Sequence, residues 1–446
     1  MTQPEAGLWS RMTEYLPVEA LELIGQAAAV AKAKRKSVYL VGGVVRDLLL
    51  GRTRLDIDLV LEGDAVSLAR AVATDRDKLT VHPSFGTATI KGEHFNLDFA
   101  TARRETYLRP GALPTVQPSN INDDLYRRDF TINAMAILLT GRRRGELIDP
   151  WGGQSDLEKG LVRVLHDKSF VDDATRILRA IRYEQRLNFH IEPNTEFLLR
   201  HDAPMLETIS GDRLRHEMDR LFGEEYPERA LHRAGELGIW ASLHPSLREN
   251  WWLAGSFHRA RATVRPTPAS LCFALFLYRS NRDQASMALN RLSAPKSTTK
   301  TVLDTIALRD ELESLASPDT RPSRLYDALR DYSPQAVMAN YIAHQGETVC
   351  NNLSLYLNKL RYIRPSLRGD DLIAMGAEPG PGVGEMLSRL HQAKLDGEVT
   401  TKADEVRLVR RLLCSQPAIE DHNISRRSNT YRVHPFSSSS TTSTPW

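Results

Sequence analysis

Cysteine is nearly missing from this chain. Three occur in 446 residues, Cys272, Cys350 and Cys414, odd in number and too far apart for a disulfide framework or a metal-binding spacing. A reducing, intracellular compartment follows as the default. The N-terminus lacks a signal-peptide apolar core, and no run approaches the roughly 20 apolar residues of a membrane span. The expectation is therefore a cytoplasmic protein with no membrane association. Charge of one sign is also lacking, since 59 Lys+Arg face 56 Asp+Glu for a net +3. What basic character there is comes in local groups, Arg103-Arg104, Arg127-Arg128, Arg142-Arg143-Arg144 and Arg410-Arg411. Such groups are compatible with a polyanionic partner and equally with a solvated surface.

No G-x-x-x-x-G-K-[ST] segment occurs, which excludes a P-loop. Two aspartates one residue apart, Asp56 and Asp58, instead follow the turn Gly42-Gly43-Val44-Val45-Arg46-Asp47. In Leu55-Asp56-Ile57-Asp58-Leu59-Val60-Leu61 the apolar residues at 55, 57, 59 and 61 fall on one face of a strand. Both carboxylates then fall on the other, where they are placed to hold divalent metal. Glycines let backbone N–H groups approach an anion, and the start of the next helix favours negative charge. Gly43 and Arg46 are accordingly candidates to contact phosphate. An isolated D-x-D pattern more often just covers a solvent-facing sheet; the glycine pair and arginine beside it shift the reading towards metal with phosphate. Asp98, in the strand read at Phe95–Ala100, faces the same way as a possible third carboxylate.

Strand and helix signals alternate up to about Leu165. Beyond it strand signals disappear, and helices are read at Phe170–Leu187, Asp212–Phe222, Pro227–Leu237, Pro268–Tyr278, Lys296–Ala316, Arg324–Leu329, Pro334–Gln345, Thr348–Leu360, Gly382–Leu395 and Ala403–Leu413, punctuated by proline and glycine. From about Gln416 the chain turns polar and reads as disordered.

These motifs resemble the class II tRNA nucleotidyltransferases, members of the polymerase β-like nucleotidyltransferase superfamily that includes poly(A) polymerases. The glycine turn with Asp56-Ile57-Asp58 is similar to the family's head. Arg127-Arg128-Asp129-Phe130-Thr131-Ile132-Asn133-Ala134 resembles its ribose-binding motif, and Asp172-Asp173-Ala174-Thr175-Arg176 its base-reading motif, with Asp172 where Glu is usual. Asp212-Arg213-Leu214-Arg215-His216-Glu217 resembles the next helical motif, again with Asp for Glu. The resemblance is strong over about residues 37–222 and weaker at Gly369-Asp370-Asp371-Leu372 and Pro379–Gly384. It implies an α/β nucleotidyltransferase head, a mixed sheet with helices, followed by an all-α neck, body and tail. The expected boundaries are 1–165 for a catalytic head, 166–222 for a neck reading the base, 223–330 for an RNA-binding body, 331–415 for a tRNA-binding tail, and 416–446 for the polar end.

Implied too is template-independent addition of CTP and/or ATP to the tRNA 3′ end, with Mg²⁺ on Asp56 and Asp58 and no other protein partner. Arg128 would reach phosphate and Asp129 and Asn133 the ribose hydroxyls. Asp173 and Arg176, three apart, would share a helix face. A carboxylate accepts from an exocyclic amine and a guanidinium donates to a ring acceptor, a pair that suits cytosine and adenine. Uracil and guanine would leave both groups unpaired or opposed. Arg179 and Arg182 continue that stripe towards triphosphate. The turn-rich segment Arg103–Leu125 resembles the flexible loop used for terminal A addition and is of full length. Two rivals are a bacterial poly(A) polymerase, whose Arg-Arg-Phe stretch after the catalytic strand is absent from Leu59–Val72, and a non-catalytic tRNA-binding protein.

Overall fold

The computed structural model describes residues 7–74, 78–83, 86–243 and 252–414. The polar end 416–446 and Trp251 lie outside the described residues.

The N-terminal part opens with helices α1 (Leu8–Tyr15) and α2 (Val18–Ala33), then strand β1 (Val38–Val41), helix α3 (Gly43–Leu49) and strand β2 (Asp56–Leu61). Helix α4 (Ala65–Val72) starts where the Asp64 carboxylate accepts the Ser67 N–H at 3.0 Å, a cap that satisfies one donor of the first turn. Strands β3 (Lys78–His82), β4 (Thr87–Lys91) and β5 (Asn96–Thr101) follow. A separate ribbon comprises β6 (Arg103–Thr106) and β7 (Thr115–Pro118), after which come helix α5 (Ile121–Tyr126), strands β8 (Ala136–Leu138) and β9 (Leu147–Ile148), and helix α6 (Gly153–Glu158).

Seven strands form one mixed sheet in the order β3-β4-β5-β2-β1-β8-β9. Only β2 and β5 run parallel in it, and their register sets Asp56 beside Asn96 and Asp58 beside Asp98. A parallel pair requires a long crossover, supplied here by α4, β3 and β4. On one face Ile57, Leu59, Leu97 and Phe99 pack with Ile24 and Ala27 of α2 and Leu68 of α4. On the other, Tyr39, Val41, Val60, Ala102 and Leu125 form a smaller core. Leu55 lies outside β2 and is 47% exposed, so the apolar face begins at Ile57.

The rest is helical except for β10 (Leu161–Val162), paired in parallel with β11 (His190–Ile191), a small departure from the strand-free expectation. The helix expected over Phe170–Leu187 is two helices, α7 (Ser169–Asp172) and α8 (Thr175–Leu187). Asp173 breaks it by taking extended backbone and accepting the Thr175 N–H and hydroxyl, at 3.0 and 2.7 Å, on Oδ1. An aspartate that caps its own neighbour competes with the helix ladder. Helices α9 (Pro193–His201) and α10 (Gly211–Phe222) follow. Among those not read from the sequence are 193–201, 253–263 and 282–291.

One hydrophobic core runs from Phe130 and Ile132 through Ile177, Leu214 and Trp240 to Ile342, so the segments read as neck and body share it. The described chain divides into a unit ending at 361 and a smaller unit of 321–324 with 362 onward. Leu372, Leu390 and Val409 centre the smaller unit. In the segment 379–384 the helix begins at Pro381, with Gly380 as its N-cap. No helix among the described residues is long and apolar enough to cross a membrane.

A Cβ at Gly153 would overlap the Thr131 carbonyl oxygen and lie 2.9 Å from Met135 Cγ. Gly153→Ala should therefore lower unfolding free energy by about 1–3 kcal/mol, the usual cost of overpacking. Urea denaturation of the two proteins checks this; an unchanged midpoint would contradict the packing.

Candidate active site

A cavity of about 960 Å³ opens where β2, the glycine turn, Arg127–Asn133 and helices α8 and α10 meet. It gathers Gly43, Asp56, Asp58, Arg128, Asp129, Asn133, Asp173, Arg176, Arg179 and Arg182 from the expected set. It adds Arg54, Glu105, Tyr107 and Tyr183, which sequence reasoning did not single out, and Thr175, Arg213, His216 and Glu217, which stand in the quoted motifs with no role assigned. Two expected residues, Arg46 and Asp98, do not line it.

Arg46 is 1% exposed. Its guanidinium donates to Asp47 Oδ1 at 2.8 Å through Nε and to Asn133 Oδ1 at 2.6 Å through Nη1. It holds the turn from beneath rather than reaching for phosphate. The glycine turn faces two other arginines. Gly42 has φ +78°, and a Cβ there would come within 2.6 Å of Arg128 Nη1. A Cβ on Gly43 would sit 3.1 Å from the Arg54 guanidinium carbon. Gly42 needs glycine for its left-handed backbone, and at both positions a guanidinium group lies close to the backbone. Asp47 fixes Arg54 at 3.0 Å, and Asp124 fixes Arg128 at 3.0 Å.

Asp56 and Asp58 share a face of β2, as alternation requires. Asp56 accepts from Asn96 Nδ2 at 3.0 Å. Asp98, in register with Asp58, accepts the Thr89 hydroxyl. Among the described residues no three His, Cys, Asp or Glu side chains converge as a metal-holding group; Asp98 stands beside Asp58 on the adjacent strand. Burial pushes the Asp58 carboxyl above its ordinary range; Arg128 and Arg54 draw it down, while Asp98 and Asp56 push it further up. Two crowded carboxylates at a cavity wall fit a hard divalent cation whose other ligands come from water or phosphate oxygens. The Nε atoms of Arg128 and Arg182 are buried without a hydrogen-bond partner, donors that an anionic ligand would satisfy, while Glu217 Oε2, likewise unpartnered, is an acceptor that calls for a donor.

Asp129 and Asn133 form the centre of a buried relay. Asn133 Nδ2 donates to Asp129 Oδ1 at 3.0 Å, and Arg179 Nε donates to Asp129 Oδ2 at 3.0 Å. Burial alone would raise the Asp129 carboxyl, but the Arg179 charge and the Asn133 bond outweigh it and bring it down to about 2. Arg179 is correspondingly held fully charged, chiefly by Asp129. Arg182 donates to Glu224 at 3.0 Å.

Asp173 and Arg176 do not share a helix, since Asp173 precedes α8. They nevertheless meet at the same cavity. Arg176 donates to Ser169 Oγ at 2.7 Å and to the Arg127 carbonyl at 2.8 Å. Arg213 Nη2 donates to Asp173 Oδ1 at 2.8 Å. The segment expected as a flexible loop is the β6–β7 ribbon, whose Glu105 accepts from Arg127 at 3.1 Å and from the Tyr107 hydroxyl at 3.0 Å. Arg54 and Glu105 lie outside recognisable spacing, and the only sequence signal for them was charge next to a motif; Arg213 stands within the motif Asp212–Glu217. Trp252 packs on Tyr278 with ring centroids 5.3 Å apart, as interhelix packing.

Comparison with known proteins agrees with this geometry. The poly(A) polymerase head domain matches residues 38–163, and the probable RNA- and SrmB-binding site of polymerase A matches 188–250. The A-adding tRNA nucleotidyltransferase of Geobacter sulfurreducens is 35% identical over 425 residues, covering 90% of this chain and 48% of the relative, so the chain spans about half that protein's length. The A-adding tRNA nucleotidyltransferase of Halalkalibacterium halodurans is 33% identical over 409 residues, 90% of this chain and 94% of the relative. The Thermotoga maritima CCA-adding enzyme complexed with tRNA(CCA) superposes with a TM-score of 0.73 at 30% identity, over 92% of this chain and 100% of that one.

Because the Asp129 carboxyl is lowered in the fold, its contribution to stability is complete above its unfolded value near 4 and is lost as pH falls towards about 2. The stability difference between the parent and Asp129→Asn, from denaturant titrations, should shrink across that window. A difference that stays constant, or grows on acidification, would contradict the buried Arg179–Asp129 pair.

Proposed function

Because the chain belongs to the tRNA nucleotidyltransferase family, we propose that it extends the 3′ end of tRNA with nucleotides from ATP and/or CTP, the terminal A included. The observation that carries this is the cavity, which puts the Asp56–Asp58 pair, the arginine-covered glycine turn and the Asp173–Arg176 pair around one volume. The tRNA 3′-hydroxyl oxygen bonds to the α-phosphorus in line, the bond to the bridging oxygen breaks, pyrophosphate leaves, and the hydroxyl proton is released. A divalent cation, Mg²⁺ in our reading, would be held by Asp56 and Asp58, and when bound it supplies acidification of the hydroxyl and neutralisation of phosphate charge.

The chain's own residues then divide the work. Arg54 and Arg128, poised on the glycine backbone, take the triphosphate, aided by Arg179 and Arg182. Asp129 and Asn133 offer their remaining hydrogen-bonding capacity to the ribose. The bonds from Thr175 and Arg213 both fall on Asp173 Oδ1, which leaves Oδ2 to accept an exocyclic amine. Arg176, anchored at both terminal nitrogens, is pre-oriented to offer its remaining N–H groups to a ring acceptor. Cytosine and adenine satisfy both partners; uracil and guanine do not. Competence for A addition is supported by the full-length β6–β7 ribbon and by the two A-adding relatives. A cytoplasmic location fits such a substrate.

Asp58→Ala should abolish incorporation of labelled ATP and CTP into tRNA ending in CC or before CCA, with tRNA binding in a filter assay nearly unchanged. Normal incorporation would sink the mechanism, and products more than three nucleotides longer would favour the poly(A) polymerase reading. Arg54→Ala should raise the nucleotide KM roughly tenfold, the loss of one charge-assisted contact, with little change in thermal midpoint. Arg46→Met should instead lower the midpoint, because it removes the donor to buried Asp47 Oδ1 and Asn133 Oδ1. The reverse pattern would reassign the phosphate contact to Arg46.

A further inference from the structure

Three aromatic rings form a short ladder beside the cavity. Tyr126 is the middle ring: its centroid lies 5.1 Å from that of Trp151, with planes tilted by 43°, and 5.0 Å from that of His166, tilted by 33°. Tyr126 is 44% exposed and Trp151 37%. None of the three belongs to the hydrophobic cores that hold the head, neck and body together. Tyr126 and Trp151, held in contact while open to solvent, are not explained by burial alone; the His166 side chain on the other side of Tyr126 is 19% exposed.

The ladder is fixed by its backbone. Tyr126 ends α5, immediately before Arg127 and Arg128, both of which line the cavity. Trp151 stands in the turn where the Asp149 carboxylate accepts the N–H groups of Gly153 and Gln154 at 2.7 and 2.9 Å. His166 Nε2 lies 3.9 Å from an Asp172 oxygen, one residue before Asp173. The ladder thus adjoins the cavity wall through Arg127–Arg128 on one side and Asp172–Asp173 on the other. Burial and the nearby Arg176 hold the His166 ring below its ordinary titration range, so near neutral pH it is an uncharged ring rather than a phosphate-attracting cation.

We infer that Trp151, Tyr126 and His166 are a stacking site for the unpaired bases at the 3′ end of the RNA substrate. The inference rests on the proposed reaction, which requires those last nucleotides to reach Asp56 and Asp58 as a single strand. Every base has a π-face, so an aromatic ladder grips a 3′ end of any sequence while the Asp173–Arg176 pair selects only the incoming nucleotide. The ladder supplies grip and direction; it takes no part in the chemistry.

The test uses the full chain and a tRNA ending in CC whose last nucleotide is replaced by 2-aminopurine, a base whose fluorescence falls when it stacks. The parent protein should quench it on binding. Tyr126→Ala and Trp151→Ala should lose most of the quench and raise the RNA KM roughly tenfold, the scale of one lost base–aromatic stack. The KM for ATP and the kcat should stay within about twofold, a change too small to count as a lost contact. Tyr126→Phe should behave as the parent. Circular dichroism establishes that the variants are folded; if Tyr126→Ala is not, Trp151→Ala carries the comparison. Unchanged quench and RNA KM in a folded Trp151→Ala protein would overturn the inference, as would a rise in the KM for ATP in place of that for RNA. Quench by a parent protein that incorporates nothing would leave the stacking site standing and remove the proposed reaction. Normal incorporation without quench would do the opposite.

Discussion

A buried relay of charged and amide groups underlies the site. Arg54 is held by Asp47, which also takes Arg46; Arg46 donates to Asn133, Asn133 to Asp129, and Asp129 receives Arg179. The chain of contacts begins at the glycine turn, passes under the Arg128–Asn133 segment and ends on helix α8. Its inner members Arg46, Asp47, Asn133 and Asp129 are buried, and buried charges are costly unless paired, so the relay fixes the spacing of three sequence segments at once. Whatever binds in the cavity meets arginines and carboxylates whose positions are already set. That preorganisation is what electrostatic stabilisation of a charged reacting centre needs.

The sheet contributes a different kind of constraint. The carboxylate pair was legible because β2 alternates, and alternation fixes the face of a side chain without knowledge of the partner strand. Register was not legible. Only the parallel pairing of β2 with β5 sets Asp98 beside Asp58 and Asn96 beside Asp56. Asp98 was therefore placed on the correct strand and face from the sequence, but its role depends on the Thr89 hydroxyl, which comes from the antiparallel neighbour β4. Long-range pairings of this type leave no trace in local periodicity. Arg54 went unread for the same reason: nothing in Arg52-Thr53-Arg54 distinguishes the arginine that folds back over Gly43 from the one that does not.

Helix α8 shows where a local rule misled. Residues 170–187 carry helical spacing throughout, and the inference that Asp173 and Arg176 share a face depended on one unbroken helix. The observed break arises because Asp173 spends Oδ1 on the Thr175 backbone and hydroxyl. Cap and helix interior are competing uses of the same aspartate, and propensity does not choose between them. The two side chains still border one cavity. Their relation is set by the loop before α8 and by Arg213 from α10, rather than by the helix repeat.

That shift bears on the base selection proposed for Asp173 and Arg176. Side chains on one rigid helix would present a fixed edge. Here the carboxylate is positioned by a cap and by Arg213, whose Nη1 also lies 3.4 Å from the Gly111 carbonyl between β6 and β7. The guanidinium of Arg176 is positioned by Ser169 and by the carbonyl of Arg127, the residue that also takes Glu105 of β6. Both groups of the proposed base-reading pair are thus linked by contacts to the ribbon that the sequence marked only as a turn-rich loop. A displacement of the ribbon would have to alter the contacts of Arg213 or Arg127, and through them the angle between carboxylate and guanidinium. Discrimination between two amine-bearing bases that differ in size and position calls for just such an adjustable pair, whereas discrimination against carbonyl-bearing bases requires only that the pair keep its polarity.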